Sequence, residues 1–197
     1  MNISAIILSA GESIRMGTPK AFLSDINSEV FITNQIRTYK AFGCEEIIVV
    51  VNEKVLKFAL QNNIDCFKHV VIVTNEKLEL GRFYSLKLGI KALTGAEYCF
   101  IHNVDNPLND KVILEKIYKS RNEADFIVPK KNSQNGHPIL LNQAIIKSIR
   151  SESLDNLKIN EFLTKFKKKA VDVPNDLIHY NINTQKDYED YFRKYKI

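Results

Sequence analysis

The sequence predicts an α/β fold, a three-layer α/β/α sandwich built on a mainly parallel sheet. Two observations carry this. Several apolar runs are continuous rather than alternating, the pattern of strands covered on both faces. Between them lie segments whose apolar residues recur every three or four positions, the pattern of helices with one buried stripe. Strand and helix therefore take turns along the chain, as parallel strands joined by helical crossovers must.

Taken in order, "ISAIILS" (3–9) is the first buried strand. "FITNQIRTYKAFG" (31–43) sets Ile32, Ile36 and Tyr39 on one helical face and ends on Gly43, a residue suited to the left-handed position after a helix. "EIIVVVN" (46–52) reads as a strand and "EKVLKFALQNN" (53–63) as a helix. "HVVIVTN" (69–75) reads as a further buried strand, and "RFYSLKLGIKAL" (82–93) as a helix with Phe83, Leu86 and Ile90 inward. "YCFIHNV" (98–104) is a strand. "NDKVILEKIYKSR" (109–121) is a helix that starts on Asn109 as N-cap and repeats Ile113 and Ile117 one turn apart. "DFIVPKK" (125–131) is a strand. After Pro129 the pattern loosens into a turn-rich stretch, then a short strand, "HPILLN" (137–142). A helical region, the strand "AVDVP" (170–174) and a final helix from Thr184 complete the chain. With no repeat, low-complexity tract or linker, the expected organisation is one domain, 1–197, with an insertion beyond the fourth or fifth strand.

Composition narrows the function classes. The 197 residues are 45% hydrophobic and 26% charged, which suits a globular core. Basic residues number 28 and acidic 23, a net charge of 28 − 23 = +5. That excess suits an anionic small molecule; no arginine-rich stripe calls for nucleic acid. The run "KFKKKA" (165–170) reads as a solvated helix end and strand start. Cys44, Cys66 and Cys99 are odd in number and lack C-x-x-C spacing, so buried reduced thiols are expected rather than disulfides or a zinc site. No apolar run approaches ~18 residues, so no membrane span is expected. The N-terminus reads as a strand rather than a signal peptide, and the expected location is the cytoplasm.

The chemistry concentrates in the loop after the first strand, "LSAGESIRMGTPKAFL". Its Gly11-x5-Gly17-x2-Lys20 spacing fails the P-loop pattern, which needs G-x-x-x-x-G-K-[ST]. Ligands of open α/β sheets bind beyond the carboxyl ends of strands, where this loop begins. Small residues at Ser9, Ala10 and Gly11 admit a base or sugar. The glycines can aim N–H groups at phosphate oxygens, and Arg15 and Lys20 bring positive charge. A surface connection with incidental charges fits the same letters.

The stretch resembles the L-x-[AG]-G-x-S-x-R-M-G-x-x-K signature of the MobA-like nucleotidyltransferases. That resemblance implies a Rossmann-like sheet of the nucleotide-diphospho-sugar transferase type. It also implies transfer of a nucleoside monophosphate from a triphosphate bound by Leu8, Ser9, Ala10, Gly11, Gly17 and Lys20. In "YCFIHNVDNPLND" the family's G-D-x-P is matched except that Val104 stands at the glycine; Asp105 and Pro107 remain. By itself Asp105 reads as an Asx-turn or helix cap. The resemblance makes it a ligand for Mg²⁺, which takes one or two carboxylates plus phosphate oxygens and waters. In "NINTQKDY", Asn181 and Asn183 replace two aspartates of the family pattern and Gln185 a proline. Asn183 is then the second metal ligand, or else the N-cap of the last helix. Gly81 and Ser85 match a G-x-x-x-S segment where a helix N-terminus lies near the nucleotide; the same residues also fit an ordinary core helix.

Gly136-His137-Pro138 is similar to an element of the molybdenum cofactor cytidylyltransferase branch, and Ala10 fits that branch too. His137 is placed by this resemblance at the acceptor's phosphate or pterin; a bond to a backbone carbonyl is the plain alternative. The expected reaction is Mg²⁺-dependent attack of a phosphorylated acceptor, molybdopterin or molybdenum cofactor, on the α-phosphorus of CTP, with Arg15, Lys20 and Asp105 as catalytic residues. A molybdoenzyme client is the expected protein partner. Two other readings stand beside it: a cytidylyltransferase for a sugar-, polyol- or choline-type phosphate, and a non-catalytic nucleotide- or cofactor-binding chaperone of molybdoenzymes. A dinucleotide oxidoreductase is disfavoured because G-x-G-x-x-G is absent after the first strand.

Overall fold

The computed structural model describes residues 2–11, 18–108 and 110–195. Its elements run β1 (Ile3–Ser9), α1 (Phe31–Phe42), β2 (Glu46–Val51), α2 (Glu53–Gln61), β3 (Val71–Thr74), α3 (Gly81–Ala92), β4 (Tyr98–Asn103) and α4 (Lys111–Lys119). Then come β5 (Phe126–Lys131), β6 (Gln134–Asn135), β7 (Ile139–Asn142), α5 (Gln143–Ser151), α6 (Ile159–Leu163), β8 (Lys168–Asp172) and α7 (Gln185–Tyr195). Among the described residues no helix is long and apolar enough to cross a membrane.

The sheet has the order β3-β2-β1-β4-β7-β5-β6, with β8 beside β5. β1 pairs parallel to both β2 and β4, with Ile6 opposite Ile48 and Ile101. β5 and β8 are also parallel. Apolar residues alternate between two cores. Ile3, Ala5 and Ile7 face α1, α2, α4 and α7; Ile6 and Leu8 face α3, α5 and α6. The three layers thus follow from strands apolar on both sides, each side requiring its own helical cover. Gly43 adopts φ 103 at the end of α1, where its N–H closes back on Tyr39 and Lys40.

The short strand of "HPILLN" is β7, which enters the sheet antiparallel between β4 and β5. Three expectations are corrected. The run "HVVIVTN" forms β3, an edge strand with one side unpaired, so Val71 and Ile72 remain 46% and 41% exposed. Asn109 lies outside the described residues, and α4 is capped by Asp110, whose carboxylate accepts from the Val112 and Ile113 N–H groups. Cys66 and Cys99 are buried free thiols, whereas Cys44 is only partly covered.

Candidate functional site

A cavity of about 380 Å³ opens beyond the carboxyl ends of β1 and β4. Its floor comes from Leu8, Ser9, Ala10 and Gly11, where β1 runs out between its two neighbours. Asn52, directly after β2, holds this stretch in place. Its amide nitrogen donates to the Ala10 and Gly11 carbonyls at 3.0 and 3.4 Å, while its oxygen accepts from the Val55 N–H and caps α2. These bonds hold the Ala10 and Gly11 carbonyls towards Asn52.

Lys20, Asp105 and Asn183 converge at one part of the cavity. The Lys20 ammonium donates to the Asn183 amide oxygen at 2.7 Å and lies 3.5 Å from the Asp105 carboxylate. Lys20 sits there because Ala21 and Phe22 are buried in the core, with Phe22 stacked on Phe58 at 4.9 Å. Both charged side chains are mostly covered, at 16% and 22% exposure, so their attraction is less screened than on an open surface. One Asp105 oxygen, Oδ1, is buried without a hydrogen-bond partner. A buried carboxylate oxygen left without a partner is costly unless something else meets it.

The segment carrying Asn183 is fastened to the Asp105 loop by long-range bonds. The Ile182 N–H donates to the Asp105 carbonyl at 2.8 Å. Asn106 is fully buried, and its amide nitrogen donates to the Leu177 and Tyr180 carbonyls at 2.8 and 2.6 Å. Its oxygen faces His102 Nε2 at 2.9 Å, and His102 Nδ1 faces the Tyr39 hydroxyl at 3.0 Å. Since that amide oxygen only accepts, Nε2 carries the proton and Nδ1 accepts from Tyr39. Burial pushes the His102 imidazole down to about 3, so it stays neutral. Gln35 completes the support, donating to the Asn103 and Asn106 carbonyls.

Asn183 is not the cap of the last helix. Thr184 Oγ1 accepts from the Asp187 N–H, and the Asp187 carboxylate returns bonds from the Asn183 and Thr184 N–H groups. That reciprocal cap leaves the Asn183 amide free to face Lys20.

The remaining wall comes from α3 and the turn before β7. Ser85 Oγ accepts from Asn75 at 2.9 Å and donates weakly to the Gly81 carbonyl at 3.5 Å. Arg82, in the first turn of α3, lines the cavity. So does His137, whose placement follows from the direction of β7. Because Ile139 pairs with Ile101, the residues before β7 arrive where β4 ends, beside Asp105. The turn is tight: a Cβ on Gly136 would meet the Ile178 carbonyl oxygen at 2.4 Å, and the His137 N–H donates to that oxygen at 2.8 Å. His137 Nδ1 is buried without a partner. Burial holds the His137 imidazole below its ordinary value; the Asp105 charge opposes this and the Arg82 charge adds to it.

Of the residues expected from the sequence, Leu8, Ser9, Ala10, Gly11, Lys20, Ser85, Asp105, His137 and Asn183 line this one cavity. Gly81 does not line it; it stands one residue before Arg82 with φ 76 and offers its carbonyl to Ser85. Arg15 and Gly17 lie outside the described residues. The sequence reading assigned no role to Arg82, Asn181 or Asn103, which also line the cavity. Arg82's signal was its place directly after Gly81; Asn103 and Asn52 gave none beyond ending a strand.

Among the described residues no group of three His, Cys, Asp or Glu side chains is placed to hold a metal. The donors at hand are the Asp105 carboxylate and the amide oxygen of Asn183. One carboxylate with neutral oxygens suits a hard cation that completes its shell with water and phosphate, and the partnerless Asp105 Oδ1 fits such a role.

The MobA-like NTP transferase domain family matches residues 5–170. Among solved structures, Rv0371c from Mycobacterium tuberculosis H37Rv is 18% identical with a TM-score of 0.78, over 97% of this chain and 97% of that one. A second structure of that protein is a complex with manganese, at 17% identity and TM-score 0.75, over 98% of this chain and 99% of the other. The 4-diphosphocytidyl-2C-methyl-D-erythritol synthase of Anaerococcus prevotii is 16% identical with a TM-score of 0.75, covering 99% of this chain and 96% of that one. Molybdopterin-guanine dinucleotide biosynthesis protein A from Archaeoglobus fulgidus is 16% identical, TM-score 0.69, over 97% of each chain. At these identities the likeness is one of fold.

Proposed function

Because this chain belongs to the MobA-like NTP transferase family, we propose that it transfers CMP from CTP to a phosphorylated acceptor, molybdopterin or molybdenum cofactor, and releases pyrophosphate. The reading takes 1–197 as one nucleotidyltransferase domain. The observation that carries it is the Lys20 ammonium between Asp105 and Asn183 at the edge of the cavity beside the β1 loop. A cation there, beside backbone that a small-residue loop leaves open, is the arrangement a triphosphate needs.

Asp105 and Asn183 would hold a divalent cation, Mg²⁺ in this reading. When bound, such an ion offsets charge on the phosphate oxygens. The protein's own part is positioning and charge. Lys20, with Arg15 five residues before it in the same loop, neutralises the phosphates of the leaving pyrophosphate. Leu8 to Gly11 receive the nucleoside, with Ser85 and the start of α3, entered through Gly81, on its far side. His137 meets the acceptor. The acceptor phosphate is already anionic, so its oxygen forms the bond to the α-phosphorus without losing a proton. The bond from that phosphorus to the bridging oxygen breaks, and its electron pair leaves with pyrophosphate. No general base is required. Ala10 at the nucleoside and the Gly136-His137-Pro138 turn support the cytidylyl reading. A molybdoenzyme is the client such a product implies, and neither nucleic acid nor membrane takes part.

The test is pyrophosphate release from each of the four nucleoside triphosphates with Mg²⁺ and purified molybdopterin. CTP-selective release is expected. Release only with a sugar, polyol or choline phosphate would move the acceptor, and nucleotide binding without any release would leave a chaperone.

A further inference from the structure

The two outer edges of the sheet are built differently. At one end β8 pairs only with β5, and its exposed residues are Lys168, Lys169 and Asp172. β6, beside it, is two residues long. Charges, lysine above all, and very short strands keep an edge from pairing with another chain. At the other end β3 pairs only with β2 and carries no charge, proline or glycine. Val71 and Ile72 are exposed there, and so is Leu60 on α2, the helix that leads towards β3. These are three of the five large apolar side chains exposed among the described residues, so exposed apolar surface gathers at this edge.

The backbone of β3 offers a partner a defined set of bonds. The Asn75 N–H donates to the Val51 carbonyl of β2. Backbone groups along a strand point to alternate sides, so Val71 and Val73 also face β2, while Ile72 and Thr74 turn their N–H and C=O groups outward. An identical strand can bond to this outward set only by placing even-numbered residues opposite even-numbered ones. Antiparallel pairing centred on Ile72 does so. It sets Ile72 opposite its own copy and the Thr74 N–H opposite the Val70 carbonyl. Ile72 then meets Ile72 on the α2 side of the sheet, and Val71 meets Val73 on the α3 side.

The charges select the same direction. The nearest charged residues on either side of the strand are Lys68 before it and Glu76 after it, both exposed. An antiparallel copy brings Lys68 of one chain towards Glu76 of the other at both ends of the ribbon. A parallel copy would set like beside like. Two identical chains related by a two-fold axis across this edge pair antiparallel.

We propose that the β3 edge docks a second copy of this chain, antiparallel about Ile72, and joins two sheets into one. The occupant is another molecule of this protein because the edge is complementary to itself in bonds, in apolar pairs and in charge. Four residues make a small contact, so the association is weak and depends on concentration. It uses none of the residues that line the cavity, and it stands apart from the nucleotidyl-transfer reading.

The test is sedimentation velocity of the full chain over a range of concentrations, with amide hydrogen exchange followed residue by residue in the same samples. Wild type is expected to pass from monomer to dimer as concentration rises. Exchange at the Ile72 and Thr74 N–H groups slows in step, while the Val71 and Val73 N–H groups, bonded to β2, stay protected throughout. Ile72→Lys sets two like charges opposite each other and weakens dimerisation about tenfold or more. Lys68→Glu weakens it about threefold, and adding Glu76→Lys restores it. A chain that stays monomeric at every concentration overturns the proposal and leaves the edge to a strand of some other protein. A dimer in which Ile72 and Thr74 exchange as fast as in the monomer also overturns it, as does one that Ile72→Lys or Lys68→Glu leaves unchanged. Should Ile72→Lys fail to fold, the exchange and charge-reversal measurements decide alone.

Discussion

At the scale of single residues, Lys20 and Asp105 carry most of the weight. Each is mostly covered, and each faces the other across 3.5 Å, so in the free protein they partly neutralise one another. Removing a preorganised charge from such a site costs about 3–4 kcal/mol, or roughly 10²–10³ in rate. Lys20→Ala and Asp105→Ala are each expected to lose turnover on that scale while their urea unfolding stays close to wild type; retained turnover in both would refute the assignment. The sequence marks both positions, Lys20 as the last letter of one motif and Asp105 within another. Asn106 is not marked. It sits between two such motif letters, Asp105 and Pro107, and its partners lie 71 and 74 positions away at Leu177 and Tyr180. Asn106→Ala leaves those carbonyls and the His102 N–H without partners, at about 1–3 kcal/mol for each buried group left unmet. It is expected to lower the melting temperature by several degrees and to weaken Mn²⁺ binding, measured by the paramagnetic resonance of the free ion. Mn²⁺ binding unaffected at a lowered melting temperature would show that Asn106 supports the fold but not the metal position.

At the scale of elements, the alternation of apolar runs and helical stripes marked most strands and helices, since each strand buried on both faces leaves a continuous apolar signature. Where the physics differed, the signature misled. Val71 and Ile72 read as core, but an edge strand is apolar too without being covered. The direction of β7 left no mark, because three apolar residues in a row fit a parallel or an antiparallel neighbour alike. That direction decides the site. Entering beside β4 from its carboxyl end, β7 brings His137 to Asp105, and the reciprocal cap of α7 leaves the Asn183 amide for Lys20. Helix starts were legible to within a residue or so: Asn109 and Asp110 are both good caps, and only the geometry chooses Asp110.

At the scale of the molecule, the buried His102 couples stability to pH. Its imidazole titrates near 3 in the fold against 6.5 for the ordinary group, so the unfolded chain takes up a proton first as pH falls. Its contribution is complete above about pH 6.5 and shrinks as pH falls towards 3, by up to about 1.4 kcal/mol per unit. His137, also held down by burial, acts in the same direction. In urea titrations His102→Gln is expected to be less stable than wild type at pH 7.5, yet to lose about 2 kcal/mol less on going to pH 5; equal losses would remove His102 from the account. The central claim is that a triphosphate and a divalent ion meet between Lys20 and Asp105. A crystal structure with Mn²⁺ and an α,β-methylene nucleoside triphosphate analogue tests it most directly. The account predicts Mn²⁺ ligated by Asp105 and by phosphate oxygens, with the Lys20 ammonium moved from Asn183 onto a phosphate. Lys20 still bound to Asn183, with the phosphates elsewhere on the molecule, would contradict it.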